Sequence, residues 1–223
     1  MVLLILGLFT VNLFSSHWVE YSNDHSGKTL SKLWGSWHWF QGYSAWLDKD
    51  EDRLLDHYRF AAALDRQNLF YWRLAAHTIA FDLPVWEIQA REKNADLLSD
   101  AEVDEIRLQY GDHALAFFEQ SRSFFKDDSE WYLVGAFLAE AVCLDVERAL
   151  QYLEKAVTLS EIPIAAGNSY ARILIEKGEL EKAHRFLVSW LPDLDAESIE
   201  VRLFEIQSLI RELEAQINPI EQN

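Results

Sequence analysis

Apolar residues recur at three- and four-residue spacings along most of this chain, the periodicity of helices that bury one face. Trp34 to Leu47 reads as an aromatic-rich helix and Leu54 to Leu64 as an amphipathic one. Val85 to Leu98 follows as a further helix, separated from its predecessor by Asp82-Leu83-Pro84. Proline biases the residue before it away from helix, so Pro84 is expected to stop the chain there. Ser99-Asp100-Ala101-Glu102 has the form of a capping box opening the next helix. A final helix, Ala196 to Ile217, carries Ile199, Leu203, Ile206, Leu209, Ile210 and Leu213 on one side and ends at Asn218-Pro219. Eight Gly and four Pro in 223 residues leave little material for a loop-rich β-fold. The expected fold class is all-α.

The helices also resemble one another. Leu54 to Asn68 places Tyr58, Ala61 and Leu64-Asp65 in order. Ala149 to Pro163 has Ala149, Leu153, Ala156 and Leu159 at matching offsets, and the stretch Glu179 to Asp193 has Ala183, Leu187 and Trp190. Gly111 to Asp128 has Ala114, Phe118, Ser121 and Phe124. Each is preceded by a helix with a small residue where two backbones would approach: Gly42, Ala76, Ala136 and Ala171. Gly178 lies in a turn where a helix needs a left-handed stop. A period of roughly 34 residues with these small and large positions resembles the tetratricopeptide repeat. The resemblance covers about Gly35 to Asp193 and implies a helical-hairpin solenoid. Four repeats are expected, at 35–68, 69–128 with an inserted helix, 129–163 and 164–194. Residues 195–223 would supply a capping helix and tail, because the last repeat of a solenoid otherwise exposes an apolar edge. The run Leu64 to Glu87, after the aromatic-rich Trp34 to Trp46, resembles a group of small bacterial repeat proteins, many with an N-terminal hydrophobic segment. That likeness implies location and architecture and supplies no activity.

Val2 to Val19 contains no charged residue. At 1.5 Å per residue it reaches about 27 Å as a helix, close to the hydrocarbon thickness of a bilayer. Trp18 and Tyr21 stand where an interfacial aromatic belt would sit. Residues 1–22 are therefore expected to be a membrane anchor or signal segment, with 23–34 as linker. No Lys or Arg precedes the apolar run, and Phe14-Ser15-Ser16 is a poor cleavage site, which favours a retained anchor. A cleaved signal and an apolar first helix packed on the fold are the rival readings. The repeat domain is expected on the extracytoplasmic, periplasmic side; secreted and cytoplasmic placements stay open.

Net charge is −17 and the isoelectric point about 4.7, so phosphate backbones would be repelled and no nucleic-acid partner is expected. One cysteine, Cys143, excludes an intrachain disulfide framework and reads as a small buried hydrophobe. His38, His57, His77 and His113 show no metal-ligand spacing, and Asp48 to Asp52 lacks the calcium-loop pattern. That acidic run reads instead as a turn whose carboxylates favour the next helix N-terminus. No phosphate loop or nucleophile elbow occurs. No cofactor, metal, small-molecule substrate or enzymatic activity is inferred.

Aromatics carry the functional signal. In tetratricopeptide solenoids the first helix of each repeat lines the concave face. Projecting that pattern gives Trp39, Tyr43 and Trp46 from the first repeat, and Phe70, Arg73, His77 and Phe81 from the second. Leu133, Phe137 and Glu140 come from the third, and Asn168, Arg172 and Glu176 from the fourth. Aromatics and Arg are common binding anchors. For Trp39 and Trp46 especially, burial in the core is the competing reading. Domains of this kind that hold a terminal carboxylate use a paired Lys and Asn, where this chain has Trp39 and Tyr43, so that activity is not implied. The expected function is a non-enzymatic interaction or scaffolding module, held at a membrane through residues 2–19, that binds a peptide or partner helix. A soluble or secreted structural subunit of a larger envelope complex is the alternative, and an enzyme of unknown type the third.

Overall fold

The computed structural model describes residues 25–94, 97–193 and 200–217. The described residues are all-helical, with no strand among them. The chain divides into two compact units, the second beginning at Lys126.

In the first unit, α1 (His25–Asp48) and α2 (Glu51–Leu64) form a tight hairpin. Asp50 caps α2 by accepting from the Arg53 N–H at 3.1 Å, and Glu51 and Asp52 complete an acidic first turn. The charge run from Asp48 to Asp52 is thus a helix-helix turn. The hairpin closes because Gly42 lies directly under the Tyr58 ring, where any Cβ would overlap it. Residues 25–34, expected as linker, are the first turns of α1. The correction follows from their content: Leu30, Leu33 and Trp34 continue the helical spacing of the aromatic run, and no Pro interrupts it.

α3 (Leu69–His77) is capped by Asn68, which accepts from the Phe70 N–H at 3.2 Å. It does not stop before Pro84. A π-turn, Thr78–Asp82, carries the chain without a break into α4 (Leu83–Asn94). The Leu83 N–H bonds the Thr78 carbonyl five residues back, so the turn is widened where the Pro84 ring would otherwise strike the preceding carbonyls. Pro84 is buried in the first turn of α4. The inserted helix therefore runs 83–94 rather than from 85 to 98. α5 (Asp100–Glu119) opens with the capping box: Glu102 N–H donates to Ser99 Oγ, and the Glu102 carboxylate accepts from the Ser99 N–H at 2.8 Å. A short 3-10 turn, Arg122–Phe124, follows. Leu54, Tyr58, Ala61, Trp72, Ala76, Leu83, Leu115 and Phe118 fill the core of this unit.

The second unit repeats the hairpin twice. α6 (Ser129–Ala141) pairs with α7 (Val146–Ala156), and α8 (Ile164–Glu176) with α9 (Leu180–Trp190). Asp128 and Asp145 cap α6 and α7 through their carboxylates. Gly135 sits under the Tyr152 ring and Gly167 under Trp190, the same small-against-aromatic contact as Gly42 with Tyr58. Ala136, Ala171, Ala149, Leu153, Ala156, Ala183 and Leu187 are buried at the helix contacts. Gly178 takes φ +76° between α8 and α9, and the Glu179 N–H closes on the Leu174 carbonyl at 2.8 Å. α10 (Glu200–Ile217) packs on α9 and buries Ile206, Ile210 and Leu213. Residues 194–199, the start of the expected capping helix, and 218–223 lie outside the described residues. So do residues 1–24, and with them the whole of the expected anchor.

Candidate functional site

Four of the expected binding residues of the first unit form one aromatic row. Phe70 on α3 meets Trp39 with ring centroids 5.9 Å apart. Trp39 stacks on Tyr43 at 6.5 Å, and Tyr43 on Trp46 at 5.9 Å. The i, i+4, i+7 spacing of Trp39, Tyr43 and Trp46 puts them along one side of α1. Trp86 of α4 extends the row beyond Trp46 at 6.4 Å. Tyr43 is 45% exposed and Phe70 44%, whereas Trp39 and Trp46 are half-buried. The row thus has a buried spine and an open edge, so neither the pure core nor the pure groove reading describes it. Trp46 Nε1 donates to Asp82 Oδ2 at 3.0 Å and fixes its ring. Trp39 Nε1 is buried and meets no acceptor among the described residues.

Arg73 and His77 are exposed on α3 and Phe81 is half-buried in the π-turn. His77 packs on Phe81 at 4.7 Å.

In the second unit, Phe137 is 49% exposed and Leu133 half-buried on α6. The charged members come together. The Arg172 guanidinium bonds the Glu140 carboxylate across the two helices and the Glu176 carboxylate at 2.9 Å along its own. Asn168, Arg172 and Glu176 then line a cavity of about 390 Å³ with Ala171, Ile175, Ile206 and Leu209. Its floor is apolar and its rim polar, the composition of a site for an amphipathic ligand. The final helix α10 supplies half of the apolar floor through Ile206 and Leu209, residues that the expected set did not include.

Two further clusters escaped sequence reasoning because each joins separate helices. His38 on α1 and His57 on α2 face each other, Nδ1 to Nδ1, at 2.9 Å. One nitrogen donates and the other accepts, so at least one ring contributes a neutral nitrogen. Burial, then the facing His57, hold His38 down at about 4; burial, then Arg53, lower His57. Phe60 stacks on His38 at 5.0 Å. Among the described residues no group of three or more His, Cys, Asp or Glu side chains converges as a metal set. The second cluster is Tyr110, whose hydroxyl donates to Glu87 Oε2 at 2.7 Å and approaches Glu51 at 3.5 Å. Burial and the two carboxylates raise the phenol well above its usual range. Burial, followed by Glu87, raises Glu51, whereas the Tyr110 hydrogen bond lowers Glu87. The phenol braces α5 to α2 and α4. Cys143, expected as buried, is half-buried in the turn between α6 and α7, where the chain leaves the helix.

Comparison with known proteins found no matching family model, no matching curated protein and no matching solved structure.

Proposed function

We propose that this protein is a non-enzymatic interaction module of tetratricopeptide-like helical hairpins. It is held at a membrane by residues 2–19 and receives a peptide or partner helix on the faces of its first helices. The observation that carries the reading is the half-open row Phe70–Trp39–Tyr43–Trp46. Large aromatics with one edge in solvent and the other anchored in the core are rigid and lose little side-chain entropy on binding. In the second unit the cavity beside Arg172 offers an apolar floor with a charged rim. Glu140 and Glu176 already neutralise Arg172, so this rim favours a partner with mixed polarity over a wholly acidic one.

The test begins with a partner crosslinked to the full chain in native membranes and then purified. Tyr43→Ala and Phe70→Ala should each weaken its binding by about 2 kcal/mol, roughly thirtyfold in Kd, if they are central anchors. Thermal melts should stay near the parent value, because both rings are almost half exposed. Unchanged Kd in folded variants would remove the aromatic row from the site.

A further inference from the structure

We propose that the outer face of α1 beds into the interface of a lipid bilayer, parallel to its surface. α1 turns Gly35, Gly42 and Ala45 toward the core of its unit. The opposite side carries Leu30, Leu33, Trp34, Trp37 and Phe40, spaced by threes and fours, and Leu47 two turns beyond Phe40, past Ser44. All but Trp37 leave more than half of their surface exposed, and Trp37 leaves 43%. Trp34 and Trp37 stack on each other at 5.1 Å and present a joined indole surface. So many large exposed apolar side chains on one side of a helix are rare on a surface that meets only water.

Three observations point to lipid as its occupant. First, the face is made of Trp, Phe and Leu, the residue types of interfacial helices; Trp in particular concentrates at headgroup level. No charged residue stands on it between Leu30 and Leu47, and Lys32 borders it, where a long stem reaches outward to headgroups. Second, α1 begins at His25, a few residues beyond the uncharged stretch Val2–Val19. With that stretch in the bilayer, the five residues Glu20 to Asp24 span at most about 18 Å, so the start of α1 stays close to the headgroups. Third, no helix among the described residues is long and apolar enough to cross a membrane, so contact between α1 and lipid would lie along the surface and not across the bilayer. A net charge of −17 favours a zwitterionic surface over an anionic one and disfavours pairing with a second, equally charged copy. The inference rests on the membrane attachment proposed for residues 2–19 and is independent of the aromatic row.

The full chain, carrying Cys143→Ser and a single new cysteine, reports the face directly. An environment-sensitive fluorophore is attached at Leu33→Cys or Phe40→Cys, with Asp56→Cys on exposed α2 as the control. Phosphatidylcholine vesicles, with and without phosphatidylserine, are the probe. The protein should float with the vesicles. The labels at 33 and 40 should then shift to the blue and lose access to an aqueous quencher, while the label at 56 should not change. Phosphatidylserine should diminish the shift. Flotation with unshifted labels at 33 and 40 overturns the inference and leaves the anchor reading standing. Absence of flotation overturns both. Labels already blue-shifted in buffer and unmoved by vesicles mean that the face is covered by protein, either the apolar N-terminal stretch of the same chain or a second copy, and that also overturns it.

Discussion

The His38–His57 pair is the clearest case of two residues whose chemistry comes from the hairpin rather than from either helix. Both rings resist protonation in the folded chain, chiefly through burial. The unfolded chain therefore takes up protons first as pH falls. Stability from this pair is complete above the ordinary histidine value of 6.5 and is lost as pH drops toward about 4. His38→Phe keeps the stacking on Phe60 and removes one of the two titrations. Denaturant unfolding at neutral and mildly acidic pH should give the variant a shallower loss than the parent, by about 1–2 kcal/mol after discounting for partial solvent screening. Identical slopes would show that the pair contributes nothing. Leu144 holds φ +55° in the turn after α6 with its side chain in solvent, a conformation that costs most L-residues free energy. Leu144→Gly should raise the stability of the second unit by about 0.5–1 kcal/mol, measured by thermal unfolding.

At the scale of the element, the hairpins depend on a glycine in one helix meeting an aromatic ring in the next. Gly167→Ala would drive a methyl into Trp190, both of them held by the surrounding core, and should cost about 1–3 kcal/mol. Ala171→Trp should likewise destabilise, since Ala171 is buried, whereas Glu181→Trp on the exposed start of α9 should melt near the parent. Equal melting of the two Trp variants would contradict the packing described. Much of this level is legible in the sequence. The Ser99 capping box, the small residues Gly42, Ala76, Ala136 and Ala171, and the left-handed Gly178 are local signals with local causes. What escapes is decided by contacts between helices. Pro84 reads as a stop because local rules do not anticipate a π-turn that relieves its clash. His38 with His57, and Tyr110 with Glu87, lie on different helices, and no spacing along the chain announces them. For the same reason, Trp39 and Trp46 allowed two readings: one ring edge belongs to the core and the other lies near the surface, which a binary pattern cannot express.

The whole molecule consists of two helical units, each with its own candidate surface. The first unit carries a row of aromatics and, on α1, a separate apolar face; the second carries a cavity closed on one side by α10. The net charge of −17 would oppose a strongly anionic partner, which is why the proposed partner is an uncharged or amphipathic one. The central claim is that a partner is taken on the first-helix faces. Photo-crosslinking tests it most directly, with a photoreactive residue placed in turn at Tyr43, Phe137 and Asn168 on α1, α6 and α8, and at Asp56 and Glu181 on α2 and α9. All five positions are exposed in the structure. In native membranes the account predicts that the first three capture the same polypeptide and the last two do not. Capture of that polypeptide from Asp56 and Glu181, with none from Tyr43, Phe137 or Asn168, would contradict it.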